Sequence, residues 1–384
     1  ASFLALETPE THMHLGTIGI FEMGDLATED GGLDFERIRR HVRSRLHLVP
    51  RYRQRLAWIP VEKAPVWVDD AHFNLDFHLR HTALPHPADE EQLNALAGRL
   101  MSQRLDRSKP LWELWVVEAP GTDQWALVAK VHHCMIDGLA GVDLMSMLMD
   151  LMPVDQITDT VPWTPRPAPS GAEMVVGDSA RFTRYVIDAM KGAGRTAKTA
   201  ASGQGGELRQ RLTSRATAVS ASLKSGWLNP SSITPINEKI GPNRRFDWTV
   251  TPLEDVKAIK RTLGVTVNDV LVAITAGAIR RFLVKHRGFD VNGADIRAMV
   301  PVSVRGGGSL GESSNQIAMW LVHLPVHEPD PESRIRFVHA QTEEVKTERH
   351  AEGALTLVQG ASATPARMMA AGLTAAQGSL PFNL

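Results

Sequence analysis

The chain has 384 residues, 43% of them hydrophobic, which is enough for a large core. At about 100–200 residues per domain it has length for two. It carries 42 Lys and Arg against 43 Asp and Glu, a balance that gives no reason to expect a nucleic-acid partner. The single cysteine, Cys134, excludes an internal disulfide and fits a reducing, cytoplasmic setting. No run approaches the ~18 uninterrupted apolar residues of a membrane span; the most apolar stretch, 139–152, is broken by Asp143 and Asp150. The start lacks the charged-then-apolar pattern of a secretory leader. The chain opens abruptly at Ala1 and stops at Leu384 in what reads as the start of a strand, so both ends read as incomplete.

In chain order, residues 14–21 alternate loosely, as a strand does. Phe35, Ile38, Val42 and Leu46 recur at three- and four-residue steps, which predicts an amphipathic helix over 34–46. A second helix is predicted over 90–101, with Leu93, Leu96, Ala97 and Leu100 on one face. Two strands follow, 111–118 and 125–133, joined by a tight turn at Gly121. Gly138 introduces a further helix. Residues 153–169 hold five prolines and read as a boundary. Residues 181–224 carry nine Lys or Arg against two Asp or Glu and read as a basic connector, helical in pieces. Beyond it, 246–250 alternates like a strand. Thr251 to Glu254 has the form of a capping box with Pro252 at the first helical position, and that helix should end at Gly264. Thr266 and Asp269 form a second capping pair, opening a helix to about Lys285. Strands are predicted over 296–304 and 316–326. The division expected is 1–165, a connector at 166–243, and 244–384.

The chemistry concentrates in ALVAKVHHCMIDGLAG. Adjacent residues of a strand point to opposite faces, so Leu127, Ala129, Val131 and His133 share one face and Val128, Lys130 and His132 the other. The two histidines cannot do the same job while both stay in the strand. Asp137 sits just before the next helix, where it can cap or meet a cation. Histidine suits general-base work because its pKa lies near neutrality. A purely structural histidine pair is the plain alternative. His-His-Asp could also supply three metal ligands, but strand geometry sends the two rings apart.

Other motifs carry less. Gly307, Ser309 and Gly311 match GxSxG, but a nucleophile elbow needs a helix after the serine and a strand is expected there. Residues 192–199 miss a phosphate-binding loop by one glycine, Ala197 standing in its place. The eight arginines of 37–55 read either as a solvated helix face or as an attraction for phosphates or an anionic membrane. Met145, Met147, Met149 and Met152 read as adaptable packing, or as an apolar lining behind the histidines.

HHxxxDG is the signature of the chloramphenicol-acetyltransferase-like superfamily, which includes peptide-synthetase condensation domains. The segments FLALETPETHMHLG, LDRSKPLWELWVVE, KVHHCMIDGLAG, GVTVNDVLVAITAGAIRRFL and PVSVR, in that order, resemble the bacterial wax ester synthase/diacylglycerol acyltransferase family. In that family a segment like the terminal SLPFNL continues into a further strand and an Asn-Val-Pro-Gly-type motif, so the last half is expected to be incomplete. The resemblance implies two similar mixed α/β halves with a tunnel between them. It implies His133 as the base, His132 as support, and Asp137 as a structural residue, for which Arg305 is the candidate ion-pair partner. Asn268 and Asp269 match the family's Asn-Asp motif and, with Met145 and Met149, are candidates for the substrate tunnel; as residues at a helix start they are also caps. The function implied is transfer of an acyl group from acyl-CoA, a co-substrate and not a bound cofactor, to diacylglycerol or a long-chain alcohol. No metal is expected. A carrier-protein-bound acyl donor and an idle lipid-binding protein are the alternatives. The protein is expected to be cytoplasmic and peripheral to a membrane or lipid droplet; the oligomeric state stays open.

Overall fold

A computed structural model describes residues 3–4, 7–60, 64–135, 149, 157, 159–174, 229–303, 317–347 and 382–383. The chain separates into two compact units, Ala1–Asp188 with Ile240–Trp248, and Ala189–Lys239 with Thr249–Leu384.

The first unit is built on a four-stranded sheet in the order β1-β6-β5-β4. Its strands are β1 (His14–Glu22), β4 (Leu79–Ala83), β5 (Trp112–Glu118) and β6 (Gln124–His132), while β2 (Gln54–Trp58) and β3 (Pro65–Asp69) form a separate hairpin. β6 pairs antiparallel with both β1 and β5, and β4 runs parallel to β5. The parallel pair needs a crossover, supplied by helix α2 (Glu90–Met101); helix α1 (Phe35–Arg45) lies earlier in the chain. Both helices start where the sequence predicts. The side chain of Asp34 accepts from the Arg37 amide, and that of Asp89 from the Gln92 amide.

β6 is buried along its whole length after Gln124 because apolar layers cover both faces. Leu127, Ala129 and Val131 join Leu114 and Val116 against Val42 and Leu46 on the α1 side. Ala126, Val128 and Val117 meet Leu93, Leu96 and Leu100 of α2 on the other. The alternation read from the sequence is thus realised, with Lys130 and His132 following Val128 on the α2 side. Lys130 is 1% exposed, and its ammonium donates to the carbonyls of Leu100 and Gln103, near the α2 C-terminus. His14 in β1 bonds the Met101 carbonyl through Nε2 at 3.0 Å. Two cationic or polar groups from the sheet therefore satisfy carbonyls that a helix end leaves without partners.

Residues 246–250, expected as a strand, pair with nothing in a ladder. The stretch Ile240–Trp248 instead returns to the first unit and runs along α2. The Arg244 amide donates to Ser102 Oγ at 2.7 Å, Asn94 Nδ2 donates to Asp247 Oδ1 at 3.2 Å, and Trp248 packs beside the α2 cluster. The second unit accordingly resumes at Thr249 rather than Arg244, and Arg166, expected in the connector, belongs to the first unit, where it pairs with Asp69 at 3.0 Å. Residues 175–228 of the connector lie outside the described residues.

The second unit contains helices α3 (Leu253–Leu263), α4 (Val267–Arg281, continued by a π-helical turn Phe282–His286) and α5 (Pro331–Thr347), with the antiparallel pair β7 (Arg297–Ser303) and β8 (Ile317–His323). The α3 start differs from expectation. Pro252 is itself the N-cap and no side chain caps the helix, since the proline sits one position before the first helical residue. The predicted stop holds: Gly264 takes φ 69°, the left-handed conformation that glycine adopts without a Cβ clash. The Thr266–Asp269 capping box is present. Val256, Val265, Val270 and Ala273 pack with Ile335 and Val338 of α5.

Gly98 of α2 faces the returning segment, and a Cβ there would lie 2.6 Å from the Arg244 carbonyl oxygen. Gly98→Ala would gain up to about 1 kcal/mol of helix propensity, but the obstructing atom is backbone, and overpacking of this kind costs roughly 1–3 kcal/mol. The variant is therefore expected to melt below wild type; an unchanged or raised melting temperature would show that residues 240–248 do not sit against α2 in solution.

Candidate active site

β6 ends at His132, and His133 begins a single 3-10 turn, His133–Met135. The histidines part at this junction. His132 is 1% exposed; its amide donates to the Leu111 carbonyl at 2.9 Å, which keeps it in the sheet. The Cys134 amide donates to His132 Nδ1 at 3.1 Å. An amide N–H can only donate, so Nδ1 carries the lone pair and the neutral ring holds its proton on Nε2. Nε2 lies 3.6 Å from the Glu7 carboxylate. Burial, opposed by the nearby Glu7 charge, pushes the His132 pKa below its ordinary value.

Glu7 is the buried hub of a charge cluster whose arginines reach solvent. Its side chain is 2% exposed; Arg107 contacts it through Nε at 3.0 Å and through Nη2, and Arg104 lies 3.4 Å away. Burial alone would raise the Glu7 pKa, but the two guanidiniums hold it below the usual carboxylate value. Arg107 also donates to the Leu4 carbonyl at 3.2 Å, fastening the N-terminal segment to the loop after α2.

His133 is half-buried. Its amide donates to the Met13 carbonyl at 2.8 Å, and its ring stacks on Phe3 with centroids 3.9 Å apart and planes inclined by 18°. Its Nδ1 is buried without a partner among the described residues. The N-terminal segment thus supplies Phe3 against one histidine and Glu7 against the other. Cys134, next in the turn, packs beside Leu4, Leu56, Leu105 and Leu111, and burial pushes its thiol up to about 11, which leaves it protonated at neutral pH.

The other candidates divide. Met149 packs against the cluster containing Leu114 and Val131, a core position. Asp269 is fully buried in the second unit and saturated: it accepts from the Thr266 amide, from Thr342 Oγ1 at 2.8 Å and contacts His339 Nδ1 at 2.8 Å. Those bonds make it a structural anchor between α4 and α5. Asn268 beside it is exposed. Asp137, Met145 and Arg305 lie outside the described residues, as do Ser309 with its GxSxG match, residues 192–199, and the helix expected after Gly138. Among the described residues no group of three or more His, Cys, Asp or Glu is placed to hold a metal ion, and no single helix is long and apolar enough to cross a membrane.

The profile of the wax ester synthase/diacylglycerol acyltransferase catalytic domain matches residues 1–271. The chain belongs to this family. A protein named a probable diacylglycerol O-acyltransferase from Mycobacterium tuberculosis is 32% identical over 372 residues, 96% of this chain and 75% of its own length. A homologue of that description from Mycobacterium bovis shows the same identity and coverage. The structure of the wax ester synthase/diacylglycerol acyltransferase from Marinobacter aquaeolei VT8 superposes with a TM-score of 0.61 at 22% identity, covering 98% of this chain and 77% of that one. The fold is therefore the mixed α/β, chloramphenicol-acetyltransferase-like fold implied by HHxxxDG, and the protein is an acyltransferase. Sequence reasoning singled out both histidines but not the residues the structure places against them, Glu7 and Phe3, nor Arg104 and Arg107, which hold Glu7. Glu7 lay inside FLALETPETHMHLG and Arg107 inside LDRSKPLWELWVVE, but nothing in either segment says that they meet.

Buried histidines make the stability of the first unit pH-dependent. Burial, reinforced by the Lys130 charge, lowers the His14 pKa from 6.5 to about 4. The unfolded chain therefore binds more protons than the native one between those values, so this contribution is complete above pH 6.5 and is lost as the pH falls toward 4. The melting temperature should decline over that window, and His14→Gln should flatten the decline. An identical pH slope in the variant would mean that His14 is not buried neutral.

Proposed function

We propose that the protein is an acyl-CoA-dependent O-acyltransferase that makes triacylglycerol from diacylglycerol, wax ester from long-chain alcohols, or both, with His133 as general base. The observation that carries this reading is the division of labour at the end of β6. His132 is held in the ladder with Nδ1 bonded by the Cys134 amide and Nε2 facing Glu7 at 3.6 Å, while the half-buried His133 stands in the turn, outside the ladder. An imidazole so held can take the acceptor's hydroxyl proton as the oxygen attacks the thioester carbonyl. When the tetrahedral intermediate collapses, the C–S bond breaks, and the imidazolium returns its proton to the coenzyme A thiolate. The ester and free coenzyme A are the products, and the histidine ends neutral. Base catalysis of this kind contributes roughly 10²–10⁴-fold; positioning and oxyanion stabilisation supply the rest.

His133→Ala should leave less than about a tenth of wild-type transfer while the melting temperature stays close to wild type, because the ring contributes one stacking contact and little core packing. Labelled palmitoyl-CoA offered with diacylglycerol and with hexadecanol measures both activity and acceptor choice. Retention of most activity would remove His133 as base. Turnover with free acyl-CoA also separates this reading from one that needs a carrier-bound donor, and any turnover removes the idle lipid-binding alternative.

We further propose a peripheral, salt-sensitive attachment to an anionic membrane or lipid droplet. The arginines of 37–55 are less available than their number implies. Arg53 is 8% exposed and stacks on Trp163, Arg51 lies over Trp67, and Arg39 pairs with Asp76. The nine bases of the connector are the better source of attraction, at about 1 kcal/mol for each one near the surface and within a screening length of ~8 Å. The protein should float with anionic but not neutral liposomes at low salt and be released at high salt. Equal, salt-insensitive flotation with both would assign the contact to apolar groups.

A further inference from the structure

The cluster around Glu7 raises a question that charge pairing with Arg107 does not answer. Two arginines suffice to neutralise one carboxylate, yet the same carboxylate also faces the ring of His132 at 3.6 Å. His132 Nε2 is buried and has no hydrogen-bond partner among the described residues. Because the Cys134 amide occupies Nδ1, Nε2 must carry the proton of the neutral ring, and a buried N–H without an acceptor is costly. Glu7 is the acceptor within reach. At 3.6 Å the contact is electrostatic; a shift of a few tenths of an ångström makes it a hydrogen bond.

We propose that Glu7 is a positioning residue of this acyltransferase: by facing Nε2 of His132 while the Cys134 amide faces Nδ1, it fixes which nitrogen of that ring is protonated, and with it the turn that presents His133. The chain of contacts is continuous. Arg104 and Arg107 hold Glu7, Glu7 faces His132 Nε2 at 3.6 Å, the His132 lone pair holds the Cys134 amide, and that amide belongs to the turn His133–Met135. If the ring took its proton on Nδ1 instead, two N–H groups would confront each other at Cys134 and the turn would have to open. Glu7 touches no reacting atom; it acts through His132, as a carboxylate that orients a histidine tautomer does elsewhere.

The proposal rests on the reading of His133 as base, and two measurements separate its failure from failure of that reading. The first needs no activity. In full-length protein labelled with 15N at histidine, the His132 signals are identified by their disappearance in His132→Asn. They should show a protonated Nε2 and a bare Nδ1 at neutral pH. A proton on Nδ1, or a doubly protonated ring, overturns the proposal whether or not His133 is the base. The second is a kinetic cycle. Asn at position 132 keeps an acceptor for the Cys134 amide but has nothing at the place of Nε2. Glu7→Gln should lower kcat by about tenfold, within the range usual for groups that orient a functional ring, with KM for palmitoyl-CoA changed less than about twofold. In the His132→Asn background the same change should cost little more, because the group through which Glu7 acts is gone. A merely structural carboxylate would lower melting temperature in both backgrounds without this kcat-specific coupling. Equal kcat losses in both backgrounds overturn the proposal. If Glu7→Gln does not fold, the nitrogen spectrum of the wild-type chain still decides.

Discussion

A polar side chain on a strand buried on both faces needs a partner from elsewhere, and β6 carries two. Lys130 and His132 point to the same apolar side, each 1% exposed, and each has another segment of the chain brought against it. Lys130 takes carbonyls from the end of α2. His132 takes an amide from the turn ahead of it and a carboxylate from a residue 125 positions earlier in the chain. The placement of α2, of the N-terminal segment and of the turn carrying His133 all depend on these obligations. The apolar layers could be filled by many sequences of similar volume; the polar partners fix one arrangement.

In the proposed mechanism the chemistry follows from the point at which this strand stops. One residue earlier, a histidine is locked by the ladder and by its buried partners. One residue later, the chain has left the ladder, and a histidine can meet a substrate while its backbone amide stays tied to Met13. A base needs both properties, a fixed backbone and a ring with a nitrogen to spare. The doubled histidine supplies them as a pair.

What was legible in the sequence was whatever depends on neighbours in the chain. The period of Phe35, Ile38, Val42 and Leu46 and the cap at Thr266 located helices, and Gly264 marked a stop, because those signals act over a few residues. Alternation along β6 placed Leu127, Ala129 and Val131 on one side and Val128, Lys130 and His132 on the other for the same reason, but it did not show that the strand stops before His133. Residues 246–250 alternate like a strand, but 246–248 meet a helix instead of a strand edge, and alternation cannot say what lies opposite. The sequence shows Asp269 as a cap, which it is, but not the bonds of its carboxylate to His339 and Thr342, some seventy residues away. Glu7 was missed for the complementary reason: a glutamate near a chain start carries no local mark of burial, and its significance comes from Arg107, a hundred residues on.

The path of residues 240–248 has a consequence for how the protein comes into being. The first unit is discontinuous in sequence: its last contribution, bonded to Ser102 and lying over Gly98, is synthesised after some fifty residues that belong to the other unit. A nascent chain leaving the ribosome can form the sheet and both covering helices, but α2 must wait for Arg244 and Trp248 with part of its surface uncovered. For the same reason, a gene cut at the proline-rich stretch 153–169 would not yield an independent half, and any scheme that recombines such halves between relatives must carry this short returning segment with the N-terminal piece.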